Sequence, residues 1–178
     1  RQRVRTIVHV DLVTSSDRGC CHRIISYDMY FVLSAVDYFM HTGDATSLQS
    51  WATLIEKKFQ TSLAFFEKPK VQGFCGSDSR IGADFEHSPP SEAEKARYYK
   101  MLSIQAARDY AHALSLCGAA CNATVVSAAA GLAAQLSAHF EAERSLLTTP
   151  CTASFEGCYG MHAATNAVLT GMTTAAEE

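Results

Sequence analysis

Apolar residues recur every three or four positions over several long stretches of the chain, which is the period of a helix with one buried face. The clearest stretch has polar residues on its other face, and its apolar positions are Leu48, Ala52, Ile55, Phe59, Leu63 and Phe66. No alternation of strand and helix patterns is present that would build a parallel sheet. The pattern therefore predicts an all-α fold.

Capping and stop residues set the predicted helix bounds. The first helix begins at Ser26 as N-cap and ends near Thr42, before Gly43, and residues 1–25 form an extended lead-in. The second begins at Asp44 and ends before Pro69. The third begins at a capping box formed by Ser91 and Glu94, stops at Gly118, and has a predicted buried face of Tyr99, Leu102, Ala106, Tyr110 and Ala113.

Two more helices complete the predicted fold. The fourth is capped by Asn122, with a predicted buried face of Val125, Ala129, Leu132, Leu136 and Phe140. The fifth runs from about Gly160 to Met172. Short links join the first helix to the second and the third to the fourth, whereas the other two connections are long. Because short links make antiparallel neighbours, helical hairpins are predicted with both short turns at one end.

The long connections then lie together at the other end, with Asp17, Arg18, Tyr27 and Asp28 of the first segment beside them. Two layers of hairpins that close into a ring make an α/α toroid, and hairpins that stay open make a solenoid. A solenoid carries sequence repeats with a short period. The two complete hairpins differ in length and share no motif, which favours the toroid.

The composition predicts one globular domain over residues 1–178, with 48% hydrophobic and 19% charged residues. The net charge of -3 includes no basic block, so nucleic acid is not an expected partner. No run of eighteen residues is free of polar interruption, and no membrane span is predicted. The chain begins at Arg1 without a leader-like stretch, and it is expected to be a piece of a longer protein.

The seven cysteines lack the paired spacing of a zinc site, so no metal and no cofactor are expected. Cys117 and Cys121 are close enough to meet across a turn, which leaves a local disulfide open. Asn122-Ala123-Thr124 is a glycosylation sequon, and its use would indicate a secreted or lysosomal protein.

The glycine-punctuated loop over residues 73–86 carries the densest candidate chemistry. Asp78 and Arg80 form either a local ion pair or a pair of groups that bind hydroxyls. Asp84 and Glu86 are the other carboxylates near enough to form an acid and base pair with Asp78. On the fifth helix, His162 and Asn166 belong either to a buried polar cluster or to a sugar contact.

Three segments resemble, in order, the six-hairpin glycosidases, above all the catalytic domain of bacterial-type α-L-rhamnosidases. They are Ile25–Tyr30 with His41–Asp44, Gly76–Gly82, and Gly160–Ala167, and together the likeness covers about residues 20–172. Ser77 stands where relatives tend to carry a tryptophan. The resemblance implies an (α/α)6 barrel that hydrolyses a glycosidic bond with inversion. It also implies that this chain is the middle of that barrel, with the rest of the parent barrel as partner.

Inversion requires one carboxylic acid and one carboxylate base on opposite sides of the sugar. Under this hypothesis, Asp78 and Glu86 are the candidate catalytic residues, although the family's usual acid and base are expected outside the chain. The candidate carbohydrate-binding residues are Asp17, Arg18, Tyr27, Asp28, Arg80, Asp84, His162 and Asn166. The alternative is a non-catalytic helical interaction domain whose groove binds a peptide or protein partner.

Overall fold

The computed structural model describes residues 25–67, 92–147 and 168–171, and these residues are helical except at short turns. The fold of the described part is all-α, as predicted. Its helices are α1 (Ser26–Thr42), α2 (Ala45–Ser50), α3 (Ala52–Glu67), α4 (Glu92–Cys117), α5 (Ala123–Ala138) and α6 (Phe140–Leu147).

Most predicted helix ends are confirmed by hydrogen bonds. Gly43 closes α1 in the left-handed conformation, with φ 65°, and its N–H donates to the Phe39 carbonyl at 2.7 Å. The Asp44 carboxylate accepts from the Ser47 N–H at 3.1 Å and caps α2. Asn122 caps α5, because its Oδ1 accepts from the Thr124 N–H at 2.9 Å.

Three details of the predicted helices are wrong. Ser26 is the first residue of α1 and is buried, and the N-cap position is Ile25, which makes no side-chain cap. The second predicted helix is divided at Trp51, whose ring packs edge-on against Phe31 and Tyr38. The fourth is divided at His139, between α5 and α6.

The buried face of α5 is also rotated from the predicted one. Val125 is 49% exposed, whereas Val126 is buried and lines up with Ala129, Ala133 and Leu136. Both faces fit a helical period, and the partner helices decide between them. The alanines present the smaller surface, which lets α5 pack against α3 and α4.

Contacts between the first three helices and the next two show how the predicted hairpins are arranged. Tyr30 of α1 meets Tyr98 of α4. Gln49 of α2 bonds to Asn122 at the start of α5, and Phe66 near the end of α3 packs on His139 at the end of α5. The first hairpin (α1 to α3) and the second hairpin (α4 and α5) therefore lie side by side with matching helices parallel.

The core forms where α4 lies between α1, α3 and α5. Phe65 of α3 packs edge-on against Tyr99 at 5.0 Å, and Phe59 packs against Tyr110 at 5.8 Å between ring centroids. All five positions predicted for the buried face of α4 are buried. Because the aromatic pairs run in opposite order along the two helices, α3 and α4 are antiparallel.

The two ends of this bundle differ and are named here by their residues. The turn end holds the turns at Gly43 and Gly118, which Gln49 joins by accepting from the Asn122 N–H at 2.8 Å and donating to the Ala120 carbonyl. Cys117 and Cys121 form a disulfide there, which settles the open question of the spacing. The loop end is where α1 and α4 begin and α3 ends.

Candidate functional site

Three tyrosines come together at the loop end. Tyr27 and Tyr30 are three residues apart on α1, so they lie on one face, with ring centroids 6.5 Å apart. They are 50% and 44% exposed. The Tyr30 hydroxyl forms a hydrogen bond with the Tyr98 hydroxyl of α4, which fixes the Tyr30 ring relative to the second hairpin. The three residues are called the tyrosine cluster below.

Tyr98 is the buried member of the cluster, at 6% exposure. Burial raises the pKa of Tyr98 well above its ordinary value, and its hydrogen bond with Tyr30 acts in the same direction. The hydroxyl therefore keeps its proton at neutral pH. It serves as a fixed neutral partner for Tyr30. The ring and hydroxyl of Tyr30 on α1 are thus oriented by Tyr98 of the neighbouring hairpin.

A buried ion pair lies next to the tyrosine cluster. Lys58 Nζ of α3 donates to Asp28 Oδ1 of α1 at 2.7 Å, and their side chains are 13% and 8% exposed. Lys58 Nζ also lies 5.0 Å from the centroid of the Phe31 ring. Asp28 occupies the first turn of α1, where the helix dipole favours a negative charge. The pair joins α1 to α3 at Asp28, the residue after Tyr27 in the chain.

Two carboxylates, Asp37 of α1 and Asp109 of α4, interact nearer the turn end. Asp109 is partly buried, and burial raises its pKa, with the charge of Asp37 adding to the effect. Arg108 and His112 oppose the shift. Ser34, Asp37 and His41 are exposed on α1, where their spacing places them on one polar face. His41 is held by its Nδ1 contact with the Asp37 carbonyl at 2.8 Å.

Only two of the predicted site residues fall within the described part of the chain. Tyr27 is exposed at the loop end, where a ligand can reach it. Asp28 is buried in the ion pair with Lys58, so its carboxylate holds the helices together instead of facing solvent. The other predicted residues lie outside the described ranges, and they are Asp17, Arg18, Asp78, Arg80, Asp84, Glu86, His162 and Asn166.

Lys58, like Tyr30 and Tyr98, was not among the predicted site residues. Its signal was present, because Lys58 lies between Ile55 and Ser62 on the apolar face of α3, and both of those residues are buried. A lysine on a buried face needs a partner of opposite charge. Asp28 is that partner, but the sequence alone does not reveal which carboxylate reaches it.

Metal chemistry finds no support within residues 25–67, 92–147 and 168–171, where no three potential ligands cluster. One helical stretch of the described chain, Ala123–Ser145, is long and apolar enough to cross a membrane by length and composition. In the structure, 22% of that apolar stretch is buried. Here α5 packs against α3 and α4, and Glu143 of α6 pairs with Lys100 of α4 at 2.9 Å.

Comparison with known proteins identifies no family or function for the chain. No protein-family model, no curated protein and no solved structure matches the chain. The tyrosine cluster and the ion pair behind it therefore carry the functional argument, and the glycosidase resemblance remains a hypothesis.

Proposed function

We propose that the chain forms part of an (α/α)6 toroid that hydrolyses glycosidic bonds, similar to an inverting α-L-rhamnosidase, and that its loop end contacts the carbohydrate. The tyrosine cluster is the observation that carries this proposal. Tyr27 and Tyr30 offer half-exposed rings at one end of α1. An aromatic face packs against the apolar face of a sugar ring, while a phenol hydroxyl bonds to sugar hydroxyls.

The packing of the hairpins supports the ring architecture. The two hairpins lie side by side with α1 parallel to α4 and with α2 and α3 parallel to α5. Repeating that step makes a two-layer ring or an open superhelix. In the proposed ring, α1 and α4 form the inner layer, which places the tyrosine cluster at the rim of the lumen.

The proposed chemistry uses the connection between the two hairpins. The chain leaves α3 at Glu67 and returns at Glu92 of α4, and both residues belong to the loop end. Asp78 and Glu86 on that connection remain the proposed acid and base. Arg80 and Asp84, with Asp17, Arg18, His162 and Asn166, remain the proposed sugar contacts. Asp28 takes the role of a positioning residue, because Lys58 holds its carboxylate.

Binding is the first test of the proposal. L-rhamnose and rhamnose-containing oligosaccharides are titrated into the full-length protein while isothermal calorimetry records binding. We expect Tyr30→Ala to weaken binding about tenfold, which corresponds to about 1.4 kcal/mol. Leu116→Ala is the matched control, because Leu116 is exposed to a similar degree on the last turn of α4, at the other end. An equal effect of the two substitutions would contradict a carbohydrate site at the loop end.

Hydrolysis is the second test. An aryl α-L-rhamnoside is given to the full-length protein, and the anomer released first is identified by NMR. Asp78→Asn and Glu86→Gln are each expected to lower kcat by about 100-fold or more, because each removes a proton-transfer group. If both variants retain wild-type rates, the catalytic carboxylates lie elsewhere in the parent barrel. A product with retained configuration would contradict the inverting mechanism.

The second candidate function is a helical interaction domain, and the parallel packing of the hairpins favours it equally. Open superhelices of stacked hairpins present a concave surface that binds peptides. Under this alternative, Tyr27 and Tyr30 anchor an apolar peptide side chain. The test screens a peptide library for peptides that bind the wild-type protein. Peptides that bind wild type but not Tyr30→Ala, together with no saccharide binding, would establish the alternative over the glycosidase.

A further inference from the structure

The strongest unassigned feature of the molecule lies at the turn end, away from the tyrosine cluster. Asn122-Ala123-Thr124 is the one Asn-x-Ser/Thr sequence in the chain. Both Asn122 and Thr124 are exposed. We propose that Asn122 carries an N-linked oligosaccharide, and that the protein matures in an oxidising secretory compartment.

The hydrogen bonds of Asn122 leave its reactive atom available. Its Oδ1 accepts from the Thr124 N–H at 2.9 Å, and its backbone N–H donates to Gln49 Oε1 at 2.8 Å. Within the described residues, no hydrogen bond engages Nδ2. An N-glycosidic bond at Nδ2 leaves the amide carbonyl intact, so the glycosylated side chain still caps α5. Modification and helix capping are therefore compatible.

The transfer reaction needs a sugar donor with a good leaving group. A lipid-linked oligosaccharide diphosphate supplies it. The bond between Asn122 Nδ2 and the anomeric carbon of the first sugar forms as the bond from that carbon to the diphosphate oxygen breaks. Nδ2 loses one proton, and the lipid diphosphate leaves with the electron pair of the broken bond.

The disulfide beside the sequon is an independent indication of the compartment. Cys117 and Cys121 are bonded directly before Asn122 in the chain, and disulfides persist in secretory and extracellular compartments. N-linked glycosylation occurs in the same compartments. The two features therefore fit the same route of maturation, and one environment accounts for both.

The surface around Asn122 also suits a glycan. Leu116 and Val125 are 56% and 49% exposed, and Val125 lies one turn along α5 from Asn122. An oligosaccharide at this corner would cover exposed apolar side chains at the turn end. It would leave the loop end, where the tyrosine cluster lies, open to ligand.

The test begins with the full-length protein purified from its own cells. It is digested without reduction, treated with peptide N-glycosidase in heavy-oxygen water, and mapped by mass spectrometry. We expect a labelled aspartate at position 122 in a peptide that also carries the Cys117–Cys121 disulfide. An unmodified Asn122 would overturn the proposal, whether the two cysteines are oxidised or reduced.

Variants separate the sequon from the helix cap. Thr124→Ala removes the acceptor sequence but leaves the Asn122 cap, whereas Thr124→Ser keeps both. Asn122→Asp keeps a capping oxygen and removes the acceptor nitrogen. In secretory expression we expect the glycosidase-sensitive mobility shift to be present in wild type and Thr124→Ser and absent in Thr124→Ala and Asn122→Asp. A shift that persists in Asn122→Asp would place the glycan elsewhere and contradict the assignment.

Discussion

The turn end and the loop end of the bundle are held together by different kinds of bonds. At the turn end, Gln49 joins the two turns through bonds to backbone groups of Ala120 and Asn122, and a disulfide closes the turn at Gly118. At the loop end, side chains bond to side chains, in the ion pair of Asp28 with Lys58 and in the hydroxyl pair of Tyr30 with Tyr98.

This difference separates stability from recognition. At the turns, bonds from side chains satisfy backbone N–H and C=O groups that would otherwise lack partners. Those groups are then not available to bind a ligand. Bonds between side chains at the loop end orient Tyr27 and Tyr30 while both rings stay half exposed. We therefore expect substitutions at the turn end to change stability alone. At the loop end, the substitutions that weaken binding should differ from those that unfold the protein.

The largest expected effect belongs to the ion pair at the loop end. Lys58→Met removes the ammonium that donates to the buried Asp28 carboxylate, and the free energy of unfolding should fall by about 3 kcal/mol. Urea denaturation at neutral pH measures the change. Lys57→Met is the control, because Lys57 is exposed on the same helix and its loss should cost less than about 0.5 kcal/mol.

The double substitution Asp28→Leu with Lys58→Met sharpens this test. Removing both charges leaves no buried carboxylate at position 28, so the double variant should be more stable than Lys58→Met alone. A double variant that is as unstable as the single one would mean that the loss comes from packing against Phe31 and not from charge. Equal stability of Lys58→Met and Lys57→Met would show that the ion pair does not stabilise the loop end.

The disulfide should give the next largest effect, at the turn end. It closes a loop of few residues, since the sequence separation of Cys117 and Cys121 is 4. The loss of loop entropy in the unfolded chain predicts a contribution of about 2 kcal/mol. Cys117→Ala with Cys121→Ala should lower the free energy of unfolding by that amount, without changing saccharide binding at the loop end.

Reductant provides the control for the disulfide, because the chain has seven cysteines. If the bond between Cys117 and Cys121 is the source of the stability, reductant should destabilise the wild type and leave the double variant unchanged. Continued destabilisation of the double variant would assign the effect to other cysteines. A loss of saccharide binding in the double variant would show that the two ends are coupled.

Local sequence signals predicted the turn end well. Glycine after a helix and aspartate or asparagine before one act through neighbouring residues, and Gly43, Asp44 and Asn122 are as the sequence indicated. The disulfide was left open by the spacing of Cys117 and Cys121, and the structure decides it. The periodicity of α4 likewise identified its buried face. These features depend on the chain within one or two turns of the residue, which is the range that a sequence pattern records.

The loop end depends on contacts between distant residues, which leave no periodic trace. Tyr30 and Tyr98 are separated by 68 positions, and Asp28 and Lys58 by 30. The rotation of α5, which buries Val126 in place of Val125, has the same cause, because both faces of that helix are apolar. The sequence thus predicted that Tyr27 lies at the loop end, but not that Asp28 is held by a lysine.

Tyrosine hydroxyls offer a smaller and more selective comparison. Tyr98→Phe removes the hydrogen bond to Tyr30 and should lower the free energy of unfolding by about 1 kcal/mol. Tyr110→Phe should have the opposite sign, because the buried Tyr110 hydroxyl has no hydrogen-bond partner in the described part of the chain, and burial raises its pKa to about 12. Thermal unfolding of the two variants side by side tests this. Destabilisation by Tyr110→Phe would mean that its hydroxyl has a partner.

The smallest expected effect concerns two aspartates in the half of the bundle nearer the turn end, whose pKa values shift in opposite directions. Burial, with the charge of Asp37, raises the pKa of Asp109 above 3.8, so the folded state binds this proton more tightly than the unfolded state. The stability from Asp109 is present below the ordinary pKa and is lost as pH rises through the raised one. Asp109→Asn should therefore be more stable than wild type at neutral pH, and this advantage should shrink as pH falls toward the ordinary range.

Asp44→Asn is the matched test, because asparagine also caps a helix and only the charge is removed. Hydrogen bonds from Ser47 lower the pKa of Asp44, so its stabilisation is present above the ordinary pKa and is lost as pH falls through the lowered one. This variant should be less stable than wild type at neutral pH, and the deficit should shrink in acid. If the two variants changed stability in the same direction at neutral pH, burial of Asp109 and capping by Asp44 would not be the dominant local terms.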